Sequence, residues 1–343
     1  MAFFAAAIVF DLVVLSWGET PSSIARQLLA GTWGNAYGVG QVFFKATSIL
    51  IAAIAARAAL RAGLFNIGVD GAIAVSALAV GAIGAKLSPT LSPFLAWPLL
   101  TVVAFVVAAL WTLPQGVLKA RFGAHEVISG IMLNKIGVGL VGYLLARGLA
   151  AQGSVHTVPL PRIATLTRFG DLRLRFFRLF TIDLHALHGS ALNVAVFVAV
   201  AVAFGWSFLA RRTIFGRELA AVGASPSASR AAGIPLGRRF VQALALSGGI
   251  AGLTALNDVM GYKGYAEEGL SAGVGFTGLA AALLAGESAL AAIAASLLFA
   301  TLSQGRLSIN ARVPMELVDV LVAVLILFVG AERGVQRLLH EEA

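Results

Sequence analysis

Apolar runs separated by short polar intervals recur along this chain, and most approach the ~20 residues that cross a bilayer at a rise of ~1.5 Å per residue. The first run, Ala2 to Leu15, predicts a short membrane helix. It has no basic n-region and no clean small-residue cleavage site before Trp17 and Gly18, so it reads as a helix and not as a signal peptide. Pro21 to Leu29 predicts a short amphipathic helix on the outer side, and Lys45 to Leu60 a second membrane helix with Arg57 and Arg61 at its cytoplasmic end. The stretch GLFNIGVDG, Gly63 to Gly71, is a glycine-broken start to a third helix that runs to Ala85. Ser88 to Pro93 is an external turn, Leu95 to Val117 a fourth helix interrupted at Pro114, and Gly123 to Leu149 a fifth helix with its opening. Gln152 to Ser190 reads as one long external loop. Ala191 to Ala210 and Phe240 to Leu256 are the sixth and seventh helices, and a loop follows from Asn257 to Leu270. Two short apolar runs between Ser271 and Gln304 are divided by Gly286, Glu287 and Ser288, and Glu316 to Val329 forms the last helix. The pattern predicts an all-α polytopic membrane protein, one domain over residues 1–343, with about ten helices (eight to ten), some of them broken.

Residues 211–239, RRTIFGRELAAVGASPSASRAAGIPLGRR, interrupt this pattern with a basic, helix-forming interval. Glu218 to Val222 predicts one short helix. Ser225 as cap and Pro226 in the first turn open a second, which Gly233 and Pro235 stop. Two short helices across a membrane face make a platform on which a soluble partner can push. Glu218 reads as a partner contact, and Phe215 and Ile234 as apolar anchors for a partner groove.

Composition narrows the class. Hydrophobic residues make up 59% of the 343 positions and charged residues 12%, far too apolar for a soluble globular protein. The net charge of +9 is then the basic bias of cytoplasmic loops, not a nucleic-acid footprint. Arg162, Arg168, Arg173, Arg175 and Arg178 run against that bias in the long external loop. Arg333 and Arg337 hold the C-terminus inside, so both termini are expected in the cytoplasm. Without cysteine, disulfides and thiolate chemistry drop out.

Few motifs carry chemistry. His125 and Glu126 begin HEVIS, where Ser129 stands in place of the second histidine of a zinc protease, so the reading is a helix start with Glu126 near the positive end of the dipole. Gly273, Gly275 and Gly278 spell a dinucleotide fingerprint that no strand precedes, which leaves helix packing or a broken, substrate-facing helix. No phosphate-binding G-x-x-x-x-G-K-[ST] exists, so any ATP is hydrolysed elsewhere. Asn66 and Asp70, four apart, are expected on one helix face, with Asp70 near the cytoplasmic interface. An ionisable residue there is either a pathway group or half of a structural pair. The other acids sit mostly near predicted helix ends, which argues against an ion-coupled secondary transporter. The stretch at Gly63 and that at Gly273 each open a small-residue membrane run, a hint of internal duplication.

Six blocks in order carry a resemblance: GLFNIGVDG, HEVISGIMLN, GRELAAVGASPSASRAAGIP, ALSGGIAGL at Ala245 to Leu253, GVGFTGLAAALLAG at Gly273 to Gly286, and ELVDVLVAVLILFVGA at Glu316 to Ala331. Together they resemble permease subunits of ABC importers, nearest the nucleoside-type, basic-membrane-protein-associated branch and related to the ribose and branched-chain amino-acid permeases. The resemblance implies a subunit of the bacterial inner membrane, in contact with lipid and with no cofactor of its own, ATP and Mg belonging to two partner ATP-binding subunits. It also implies a second, non-identical permease subunit and an extracytoplasmic solute-binding lipoprotein, with no nucleic acid. By the same resemblance Gly216, Arg217, Glu218, Ala221, Val222, Gly223, Ala231, Gly233 and Ile234 would touch the ATPase. Phe65, Asn66, Gly68, Gly71, His125, Glu126 and Asn134 would be signature positions. The chain departs from the family at Asp70 and Ala72, where a glutamate and a glutamine are usual, at Lys135, where an aromatic is common, and at LLAGES, where Arg, Asn and Pro are usual. Those departures leave sugars and amino acids open as solutes beside nucleosides.

Overall fold

The computed structural model describes residues 14–312 apart from 172, 177–179, 184–186, 188, 271 and 311, together with 8, 11, 12, 314, 320, 323 and 324. Most of the predicted first helix and the helix expected over Glu316 to Val329 lie outside the described residues. The elements are α1 (Pro21–Thr32), α2 (Ala36–Leu60), α3 (Val69–Gly84), α4 (Pro93–Phe122), α5 (Glu126–Leu144, extended by a π-turn over Leu145–Leu149), strands β1 (Arg173–Phe176) and β2 (Phe180–Asp183), α6 (Ala195–Arg212), α7 (Ile214–Ala224), α8 (Pro226–Ala231), α9 (Leu236–Gly252), a π-helical stretch over Leu256–Lys263, α10 (Val274–Ala285) and α11 (Ala289–Ile309). Among the described residues six helices are long and apolar enough to cross a membrane, and the apolar α3 and α10 are shorter. The chain is a multi-pass membrane protein.

α2 is the central post. Its residues from Ala46 to Ala59 are buried, and nearly all are Ala, Ile, Leu or hydroxyl residues, so neighbouring helices approach it closely on every side. Gly278 of α10 shows how closely: a Cβ there would stand 2.8 Å from the Ala52 carbonyl carbon and 2.9 Å from the Ala53 nitrogen. At the end of α2, Arg61 donates to the carbonyls of Gly216 (3.2 Å) and Ala210 (3.1 Å), which fixes α2 to the platform made by α7 and α8. The opposite end of the bundle carries the 150–194 segment.

The two halves run in opposite senses. α2 descends to the platform end, whereas α9 leaves it. α3 begins inside the bundle and runs to the far end, where Gly84 meets Leu160; α10 begins inside and runs to Glu287 beside Arg61. α4 descends and α11 ascends. The places paired by the sequence hint, Gly63 to Gly71 and Gly273 to Gly278, both open half-length helices.

Several expectations are corrected. The fourth helix is not interrupted at Pro114, because α4 passes through both Pro98 and Pro114 as one helix. A missing N–H in a membrane helix is tolerated where neighbours serve the freed backbone groups. The second helix begins at Ala36, where the Asn35 side chain accepts from Gly38 N at 2.6 Å. The stretch expected as a loop from Asn257 is helical to Lys263, with Asn257 and Asp258 buried, because both polar side chains find partners inside the bundle. The 152–190 segment is not plain loop. It holds 3-10 turns at Arg162–Ala164 and Phe169–Asp171 and the antiparallel β1–β2 hairpin, so the all-α description holds for the helical bundle and not for this excursion.

Candidate functional site

Between Arg61 and Val69 the chain turns back into the bundle without forming a helix. Nine extended residues can span ~30 Å, about twice the length of nine helical ones. Asp70 therefore does not lie near the interface, as its sequence distance from Arg61 suggests. It bonds Gly275 N, and Gly278, three residues on in α10, packs on Ala52, nine residues of α2 in from Arg61. At ~1.5 Å per residue that places Asp70 some 18 Å from the platform end, near the middle of a ~30 Å hydrocarbon core.

Side chains serve the backbone groups at this break and at the start of α10. Asn134 of α5 accepts from Gly71 N at 2.7 Å and donates to the Ile67 carbonyl at 2.5 Å. Asn66 accepts from Gly68 N at 3.0 Å and donates to Ser247 Oγ of α9 at 2.9 Å. Asp70 Oδ1 accepts from Gly275 N at 2.7 Å, capping the start of α10. Asn66 and Asp70 thus do not share a helix face: Asn66 precedes α3 and turns to α9, and Asp70 turns to α10. Two half-helix starts meet here with their donors served by three side chains. Phe65 is exposed at the turn, and Gly63, at φ +72°, lies against Gly223 of the platform.

A cavity of about 290 Å³ opens beside this junction, lined by Asp70, Asn134, Lys135, Glu267, Leu270 and Phe276 among others. Lys135 lies nine residues into α5 from Glu126, and its neighbour Asn134 bonds the start of α3, so both sit at the level of Asp70. A second cavity, about 490 Å³, shares Gly269, Leu270, Ala272 and Gly273 with the first and is lined by Lys45, Ser48, Asp258, Tyr262, Thr277 and Arg306 among others. Lys45 donates to the Ser303 carbonyl at 2.9 Å, and Ser48 donates to Asp258 Oδ1 at 2.8 Å. Asn257 bridges Ser48, the Phe44 carbonyl and Asn193, at 2.8, 3.0 and 2.9 Å. Sequence reasoning passed over Lys45 and assigned Asp258 to a loop. A cation and a carboxylate within apolar runs were the available signal.

The π-helical stretch and the residues just after it are held from the far end. Met260, Gly264 and Ala266 carbonyls accept from Leu166 (2.8 Å), Leu160 (2.7 Å) and Thr157 (2.9 Å) backbone N–H groups, and the Arg168 guanidinium donates to the Gly261 (3.2 Å) and Tyr262 carbonyls. The His156 ring stacks on Tyr265 at 4.0 Å, and Lys263 pairs with Glu267 at 3.1 Å. Part of the arginine-rich segment therefore serves carbonyls freed where the helix ends.

At the platform, α7 starts at Thr213, whose hydroxyl accepts from Gly216 N, and α8 at Ser225, whose hydroxyl accepts from Ala228 N, as the sequence predicts for Ser225. Gly216 and Val222 are buried, while Arg217, Gly223, Ala231 and Gly233 are exposed. Glu218, Phe215, Ala221 and Ile234 are half-buried. Glu218 pairs with Arg239, whose guanidinium also lies 5.5 Å from the Phe215 ring centre, so both face inward onto α9. Ile214, 67% exposed, is the outward apolar side chain. His125 is exposed beside Glu126, which is buried and pairs with Lys119 at 2.8 Å. Among the described residues no cluster of three or more metal-ligating side chains occurs.

The family described as branched-chain amino acid transport system / permease component matches residues 3–330. The chain belongs to this permease family. Among relatives, the guanosine ABC transporter permease protein NupP of Bacillus subtilis is 32% identical over 95% of this chain and 90% of its own length. The nucleoside ABC transporter permease protein NupB of Lactococcus lactis is 27% identical over 95% and 89%. The glucose ABC transporter permease protein TsgB13 of Haloferax volcanii is 29% identical over 94% and 84%. No solved structure matches the chain.

Proposed function

We propose that the permease is the membrane-spanning subunit of an ATP-driven ABC importer that carries nucleosides across the bacterial inner membrane. One observation carries the reading. Two half-helices of opposite sense meet around a mid-membrane cavity lined by charged and aromatic groups, in a chain whose relatives include two permeases named for guanosine and nucleosides. Half-helix starts in mid-membrane mark solute paths in transporters.

In this reading the permease supplies the path and no covalent chemistry. Two ATP-binding partner subunits hold ATP and Mg and move it by binding its two states unequally. Residues 211–239 form the cytoplasmic coupling segment, the contact running over Ile214, Arg217, Gly223, Ala231 and Gly233. Glu218, Phe215, Gly216 and Val222 hold the platform to the bundle. Residues 152–190 lie outside, both termini lie in the cytoplasm, and the helices number about ten. A second, non-identical permease subunit covers the exposed face of α5, and a solute-binding lipoprotein delivers solute from outside. A sugar is the second reading, favoured by the relative named for glucose.

The test is uptake of labelled guanosine and glucose in cells expressing the permease with its partner subunits, against cells whose ATPase cannot hydrolyse ATP. Guanosine uptake that needs ATP hydrolysis and survives collapse of the ion gradient is expected. Uptake that stops with the gradient while ATP is held constant would refute the ATP-driven reading, and glucose uptake without guanosine uptake would refute the nucleoside assignment.

A further inference from the structure

The cavity beside Asp70 holds opposite charges that do not meet. Asn134 has spent both ends of its amide on Gly71 and Ile67, and Glu267 is paired with Lys263. Asp70 uses Oδ1 on Gly275 N, while its Oδ2 accepts no hydrogen bond among the described residues. Lys135 pairs with none of the described acids, and it and Asp70 are not within ion-pair distance of each other although both line the same cavity. The remaining lining near them includes Phe276, Ile131, Leu270 and Val138. The site thus offers a carboxylate oxygen open to a donor, an ammonium open to an acceptor, and a ring with apolar neighbours that suits a flat face.

We propose that Asp70 and Lys135 read the lactam edge of a nucleobase, an N–H beside a C=O, so that the permease selects guanosine, inosine and uridine over adenosine and cytidine. This rests on the nucleoside reading above. A lactam N–H donates to Asp70 Oδ2 while the adjoining carbonyl oxygen accepts from Lys135 Nζ, and the base lies on Phe276. Adenine and cytosine present the reverse pattern. Their ring nitrogen turns a lone pair to the carboxylate and their amino group turns N–H to the ammonium, so the base would satisfy neither group. Sites that hydrogen-bond one pattern reject the other far more strongly than apolar pockets reject a change of size.

Two isosteric pairs test this: inosine against adenosine, and uridine against cytidine. Each pair differs in this pattern alone. Competition for labelled guanosine uptake by the whole transporter should favour the lactam member by at least about tenfold in both pairs. Asp70→Asn, which keeps an oxygen for Gly275 N, and Lys135→Met, at an exposed position, should each bring both ratios to within about threefold of one. The ratios are read at matched membrane abundance. Wild-type ratios already near one would overturn the proposal, as would ratios that both variants leave unchanged. If neither variant reaches the membrane, the wild-type ratios decide. Import of glucose or an amino acid with no competition by any nucleoside would instead refute the nucleoside reading itself.

Discussion

Asn134→Ala is the sharpest test of the break between Arg61 and Val69. The side chain holds the Gly71 N–H at 2.7 Å and the Ile67 carbonyl at 2.5 Å, both part-buried at the edge of the cavity, and its loss frees both groups at once. Each backbone group left unpaired costs about 1–3 kcal/mol, so the truncation should destabilise the fold by about 2–6 kcal/mol. Asn134→Asp keeps the acceptor for Gly71 and loses the donor to Ile67. It should recover part of the loss while it faces Ile67 with a carboxylate. The measurement is reversible unfolding of the purified permease in mixed micelles, read by near-UV circular dichroism, with transport measured in parallel. A loss under about 0.5 kcal/mol for the alanine variant would show that the re-entrant segment finds other partners, and the account of this break would be wrong.

The remaining predictions concern packing and charge. Gly278→Val should cost at least about 1–3 kcal/mol and reduce transport, because its Cβ would stand 2.8 Å from the Ala52 backbone and force α2 and α10 apart; wild-type stability in the same unfolding assay would refute it. Glu287→Ala and Arg61→Met break the same 2.5 Å ion pair, yet their effects should differ. The glutamate side chain is 72% exposed, so its loss should shift stability by under about 1 kcal/mol. Arg61 also donates to the Gly216 and Ala210 carbonyls, so its loss should loosen the platform and lower ATPase-coupled transport; equal effects would refute that assignment.

Much of the helical order was legible because apolar period and length are local properties. The Ser225 and Pro226 start of α8, the short helix from Pro21 and the divide at Gly286 to Ser288 are where the residues place them. The misplaced features share one cause. A polar residue in a long apolar run reads as a loop unless its partner is known, and the partners here are remote: Asp258 meets Ser48 and Asn257 meets Asn193. A helix end need not lie at the membrane surface: Asp70 sits in the first turn of α3 yet inside the bundle, and Asp258 is buried within the π-helical stretch. Glu218 and Phe215 read from the sequence as docking groups, and only the fold shows that Arg239, on another helix, pairs with the first and lies near the ring of the second.

The sequence by itself determined the class: a chain this apolar, with basic residues clustered at the ends of bilayer-length runs, is a polytopic membrane protein, and six ordered blocks suffice for its family. Only the tertiary structure decided where Asp70 lies, because nine residues cover about 13 Å as helix and about 30 Å when extended, and no local pattern distinguishes the two. That choice is made by three other segments: Asn134 serves the Gly71 and Ile67 backbone, while Ser247 and Gly275 bond the Asn66 and Asp70 side chains.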